Sequence, residues 1–173
     1  MTVALIAIAV IVALLIITTA VLRNAQMRFR ERQWASVRTL SPGAVVFGIY
    51  ESPVVLTQLN YLRATTVPPL PPLERERRPL AVSVSAGEIA VWRGDSPPGR
   101  VVSLPTSILR SVQLFGGNRS AAQATVLLNI EWEGQVVGFN AILFEGHVGG
   151  SKAHRARMAE LQEQLQRFVS IAP

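Results

Sequence analysis

Residues 146–157, GHVGGSKAHRAR, follow an apolar run and lead into an amphipathic one, the setting in which glycine-rich backbone N–H groups cradle phosphate. The offsets do not make a P-loop, because Lys152 follows Ser151 and no glycine stands at the required distance. What survives is an anion site built from Ser151, Lys152 and Arg155. A loop running into a helix cap explains Gly149, Gly150 and Ser151 more economically. His147 and His154 stand seven apart without a carboxylate pattern around them, which reads as surface residues and not as metal ligands. Glu131 and Glu133 flank Trp132 on one strand beside a hairpin turn, where acids serve solubility; general acid–base work would need burial. The chain has no cysteine. That removes disulfides, thiolate metal centres, iron–sulfur clusters and cysteine nucleophiles together. The expectation is a protein with no catalytic residue, no metal and no cofactor.

The remaining charged residues with a recognisable arrangement are Arg23, Arg28, Arg30, Arg32 and Arg38, which follow directly on an uncharged stretch, residues 2–22. At about 1.5 Å per residue a helix over this stretch matches a hydrocarbon core of ~30 Å. A cleaved signal peptide would carry its basic residues before a shorter apolar run, the reverse of what is seen. The stretch therefore reads as a transmembrane helix. Its basic flank orients it with the amino terminus outside and the rest in the cytoplasm, as in a protein of the inner membrane. Of the formal charge of +6, residues 23–79 carry +5 and residues 80–173 carry +1. The basicity is therefore juxtamembrane. It fits anionic headgroups better than nucleic acid, for which no basic, aromatic-interleaved face is present. The five arginines are expected to contact the membrane surface, and no nucleic acid partner is expected.

Residues 23–42 continue as a basic juxtamembrane helix, with Trp34, Val37 and Leu40 on one face, until Ser41-Pro42-Gly43 stops it. Trp34 lies about 18 Å beyond Leu22 along such a helix, too far for the bilayer interface, so its expected role is packing on the folded part. Residues 43–79 read as a strand (43–50), a short helix (54–63) capped by Ser52 and Pro53, and a Pro-rich spacer, an insertion in or before the main domain. The spacer contains a P-x-x-P spacing, common in linkers as well as in docking peptides. Gly48, Glu51, Pro53, Gln58 and Asn60 exclude a second membrane span over 44–62.

In residues 80–173 the period changes to two. Leu80, Val82 and Val84 alternate with Ala81, Ser83 and Ser85 before a hairpin turn into residues 89–93, and strands follow over 100–104, 108–115, 125–133 and 136–144. Val126, Leu128, Ile130 and Trp132 share a face, and Leu127 interrupts the polar one. From Ser151, a credible N-cap, Met158, Leu161, Leu165 and Phe168 form an apolar stripe while Arg157, Glu160, Glu163, Gln164 and Arg167 face outward. The fold class is α+β, mainly antiparallel: one N-terminal transmembrane helix and about seven strands capped by a C-terminal helix.

That order, together with RVVSLPTSILRSVQLF (a strand ending in a proline turn, then an I-x-x-x-V strand), resembles the pleckstrin-homology-like (PH-like) domains that bacteria attach to membrane helices. The resemblance covers residues 43–171, with 51–79 as a departure. It implies a bent barrel of two near-orthogonal sheets plugged by the helix, and a binding module that is not an enzyme. Basic inositol-phosphate motifs of some members do not carry over, because Glu74 and Glu76 interleave with Arg75, Arg77 and Arg78. The expected function is a single-pass membrane protein presenting a cytoplasmic scaffold for an unknown protein partner or for itself. A lipid- or small-anion-binding barrel or enzyme, and an accessory subunit of a membrane complex, are the alternatives.

Overall fold

The computed structural model describes residues 2–76, 80–94, 97–116, 124–142 and 151–169, with side chains at all of these except 2–7, 9, 23, 142, 151 and 152. Helix α1 runs without a break over Thr2–Leu40. It ends where expected: Ser41 N–H donates to the Val37 carbonyl at 2.8 Å, and Gly43 takes φ +78°, a left-handed backbone that glycine adopts without a Cβ penalty. The stretch Val10–Leu40 is long and apolar enough to cross a membrane, and none of its most apolar window is buried. Ile11, Leu14, Leu15, Ile16 and Ile17 are all more than half exposed.

After α1 the chain forms β1 (Val45–Ile49), α2 (Pro53–Ala64), β2 (Leu80–Val84), β3 (Glu88–Arg93), β4 (Gly99–Pro105), a single 3-10 turn (Thr106–Ile108), β5 (Leu109–Phe115), β6 (Thr125–Trp132), β7 (Gln135–Ile142) and α3 (Ser151–Gln166). All described pairings are antiparallel, in the order β4-β3-β2-β1-β7-β6-β5. Two meanders thus meet at β1, which pairs with β2 on one side and β7 on the other. Residues 45–49 supply the middle of the sheet, so the insertion begins after them, at α2 and the Pro-rich segment.

Strands β4 and β5 lie at opposite edges of this ladder, yet three residues join them. Laid flat, six gaps of about 4.8 Å would separate the edges by ~29 Å. The connection from Pro105 to Leu109 can reach no more than about 14 Å. The sheet must therefore curl. Its inner face supplies one apolar cluster that includes Phe47, Val82, Val102, Leu109, Leu128 and Phe139. No pairing between β4 and β5 closes the ladder among the described residues, so the expected barrel of two sheets is a single open, curled sheet.

Each edge strand carries one unmatched residue where the register shifts: Val101 in β4 and Arg110 in β5. The edges are covered by the helices. Arg63 of α2 donates from its terminal nitrogen to the Val101 carbonyl, and Gln162 of α3 donates to the Val112 carbonyl at 3.4 Å. Side-chain donors of this kind occupy acceptors that an edge strand would otherwise offer to another chain.

The outer face of β1–β3 departs from expectation. The alternation in β2 implies a solvated face at Ala81 and Ser83, but all five residues of β2 are buried. Trp34 and Val37 of α1 cover that face, packing with Ala81, Ala90 and Trp92, and Trp92 Nε1 donates to Ser83 Oγ at 2.8 Å. Small residues stand there because a helix lies on them. On the other half of the sheet, Leu127 is half-buried on the outer face, and a Cβ placed at Gly138 would come within 3.3 Å of Leu127 Cδ1 and of Asn129 Oδ1. Glycine at 138 makes room for that leucine.

Helix α3 lies against β5, β6 and β1, with Met158, Leu161 and Leu165 buried and Phe168 partly so. Gln164 is half-buried and donates to the exposed Glu160 at 3.3 Å. In a chain beginning at residue 23, Leu165→Ala should lower stability by about 2–5 kcal/mol, whereas the exposed Glu163→Ala should stay within ~0.5 kcal/mol. Denaturant midpoints measure both; an unchanged midpoint for Leu165→Ala would show that α3 is not docked on the sheet.

Candidate functional site

The most elaborate polar arrangement lies where α2 and the Pro-rich segment meet the β3–β4 hairpin. Helix α2 starts cleanly because Ser52 Oγ accepts from Val55 N–H at 3.2 Å and Pro53 occupies the first turn. Its buried face is Leu59, Leu62 and Arg63, with Val55 only half-buried. Asn60 then holds the following segment as a strand would, accepting from Leu73 N–H at 2.6 Å and donating to the Leu73 carbonyl at 3.3 Å. Arg63 Nε donates to the Pro71 carbonyl at 2.8 Å. The spacer is exposed at Pro68, Pro69, Pro71 and Pro72 but tied down at these points, which makes it an ordered strap.

Under the strap sits an ion pair. The Glu51 side chain is fully buried; it accepts from Arg93 at 3.1 Å and from Glu76 N–H at 2.9 Å. Arg93 also pairs with Glu76 at 3.3 Å and donates to the Glu74 carbonyl at 2.9 Å. Arg100 pairs with Glu88 at 2.7 Å and lies over the Trp92 ring at 4.9 Å. Arg63, Arg93, Arg100 and Glu76 border an open groove of about 370 Å³. Burial, and then the neighbouring Arg93 charge, lower the proton affinity of Arg63, though a guanidinium stays charged at neutral pH. Arg63 has carbonyl partners and no carboxylate among the described residues, and Arg93 Nε is buried without an acceptor there. Arg63, Arg93 and Arg100 give the groove a basic lining, with Glu76 as the acid beside them. Among the described residues the groove is lined by no nucleophile next to a base, and no group of three metal-ligating side chains occurs.

The residues expected from the sequence distribute differently. Arg28, Arg32 and Arg38 are exposed on α1 and Arg30 is half-buried. Arg30 lies over the Tyr50 ring at 5.7 Å and Arg38 over Trp34 at 5.8 Å, so these two also serve the folded part. The Arg23 side chain lies outside the described residues, as do the Ser151 and Lys152 side chains and residues 146–150 with His147. Ser151 is the first residue of α3, and Arg155 is exposed on it. His154 is half-buried, with Nε2 2.9 Å from the Ala124 carbonyl, and ties α3 to the start of β6. Glu131 pairs with Arg110 at 2.9 Å, while Glu133 occupies the β6–β7 turn with φ +49° and does not lie on the strand. A second groove, of about 350 Å³, separates α1 from α3 and is bordered by Trp34, Arg38, Arg157, Glu160 and Gln164.

Sequence reasoning missed the Glu51–Arg93 pair, whose members are 42 positions apart. The available signal was an acid directly before a Ser-Pro cap, where a solvent-facing residue is the default. Searches find no matching protein family and no matching curated protein.

Breaking the buried pair should cost far more than breaking the exposed one. Glu51→Ala leaves a mostly buried guanidinium short of a partner and should lose about 3–5 kcal/mol, against at most ~1 kcal/mol for Glu88→Ala. Denaturant midpoints decide; equal losses would mean that burial adds nothing to the cost of breaking the Glu51–Arg93 pair.

Proposed function

We propose that the protein is a single-pass membrane protein whose α1 crosses the inner membrane with its amino terminus outside, presenting the curled sheet in the cytoplasm as a PH-like binding scaffold. The observation that carries this reading is the continuity of α1. From Val10 to Leu22 it exposes aliphatic side chains on all sides, which suits lipid and not water, and Trp34 and Val37 on one face of its last two turns are buried against the sheet. A helix built this way holds the domain at a set distance from the bilayer. The strand order, the short β4–β5 corner and a C-terminal helix over the sheet support the PH-like reading. The partner is a protein or a second copy of the chain, contacted through surfaces other than the covered sheet edges; this holds equally for an accessory subunit of a membrane complex. The arginines after residue 22 support the orientation. No nucleic acid partner and no catalysis are assigned.

A second reading, a domain that binds a small anion or a lipid headgroup, is favoured by the Arg63–Arg93–Arg100 groove. The ion pairs that fill most of its bonding capacity make it the weaker of the two.

A cytoplasmic reporter fused after residue 173 should be active and an exported one silent. The opposite pattern would overturn the orientation. Crosslinking in native membranes followed by mass spectrometry should recover a protein neighbour attached to the folded domain; crosslinks to lipid alone would favour the second reading.

A further inference from the structure

We propose that the corner formed by Tyr50 and Val54 rests in the headgroup layer of the bilayer, a lipid contact made by the folded domain in addition to α1. The inference depends on the membrane-anchored reading above. Strand β1 runs back along α1: ten residues of helix from Leu40 to Arg30 cover about 15 Å, and the five residues of β1 cover about 16 Å. Tyr50 accordingly returns to the level of Arg30, as their 5.7 Å contact shows.

Arg30 stands eight residues beyond Leu22, about 12 Å along the axis, and helical side chains lean toward the amino terminus by roughly a turn. The Tyr50 ring is thereby brought to about 7–12 Å from the hydrocarbon edge, at or just beyond the outer limit of a headgroup layer some 5–8 Å deep. A helix tilt of about 20° toward the sheet would lower a group ~10 Å off the axis by a further ~3 Å. Trp34 and Arg38, at about 18 and 24 Å, stay clear of the layer.

The chemistry of the corner fits that depth. Tyr50 is 57% exposed and Val54 66%, and Pro53 between them is exposed too. The acid in this segment, Glu51, turns inward to Arg93, so the outward surface is aromatic and aliphatic. On α1 beside it, Arg28, Arg30 and Arg32 outnumber Glu31. Tyrosine with neighbouring arginine is the combination that membrane–water interfaces favour. The contact would restrain rotation of the domain about α1, which a single helix leaves free.

The absence of cysteine permits single-site spin labelling of the full chain. The chain would be reconstituted in vesicles of phosphatidylcholine and phosphatidylglycerol in equal parts and labelled at Leu15→Cys, Val54→Cys or Ala86→Cys. Ala86 is exposed in the turn after β2, whose last residue, Val84, pairs with Val45 at the start of β1, and so marks the end of the sheet away from the bilayer. Collisions with oxygen report lipid and collisions with a water-soluble nickel chelate report water. The expected result is a lipid signal at Leu15, a water signal at Ala86 and, at Val54, a loss of nickel collisions with a gain of oxygen collisions relative to Ala86. Lipid at Leu15 with Val54 as wet as Ala86 would overturn the corner contact and leave the anchor standing. Water at Leu15 would overturn the anchor, and the corner contact with it.

Discussion

The burial of Trp34 and Val37 under the sheet governs how this chain is put together. Both lie on the last two turns of α1, and both press on Ala81, Ala90 and Trp92 across β2 and β3. Without that contact α1 would be an apolar helix joined to a domain by a turn; with it, the helix and the outer face of the sheet are one packed body. The requirement propagates into the strands, because β2 and β3 must present alanine and serine where a solvated sheet would present larger polar residues. It also sets the direction of β1, which turns back from Leu40 and brings Tyr50 beside Arg30.

The opposite ends of the sheet are finished by a different device. A ladder whose edges are joined by three residues has to curl, and its two edges then face the helices, which supply donors to Val101 and Val112. Helix α2 is present because the β1–β2 connection is long enough to fold, and its strap covers the Glu51–Arg93 pair. A buried pair of this kind adds little net stability over an apolar substitute but is costly to break. Through it the strap, the β3–β4 hairpin and the end of β1 are held at one point, because Glu51 and Arg93 also bond Glu76 and the Glu74 carbonyl.

These two devices bear on function differently. The packed helix gives the proposed scaffold its content, since a domain held rigidly on α1 would present its surfaces at a defined height if α1 spans a membrane as proposed. The charge cluster offers an anion a place, yet spends most of its donors on the protein itself. Covered edges and filled ion pairs together leave the outer face of β5–β7 and the groove between α1 and α3 as surfaces on which a partner could be read.

Local sequence was sufficient for the elements. The uncharged run before Arg23, the stop at Ser41-Pro42-Gly43, the Ser52-Pro53 cap, the alternation in β6 and the stripe of Met158, Leu161 and Leu165 each depend on neighbours within a few positions, and each is found in place. Even the burial of Trp34 was legible, because helix length alone carries it past the interface. Tertiary structure decided what depends on distant partners: that β1 is the middle strand, that Ala81 and Ser83 are covered, that Gln164 is half-buried, that Glu51 turns inward and that Arg63 reaches a strand edge. The physical reason is that periodicity shows a face to be apolar, small or polar without showing what lies against it. A small residue under a helix and a small residue in water look alike in one chain, and an acid's partner 42 positions away is chosen by the path of the backbone.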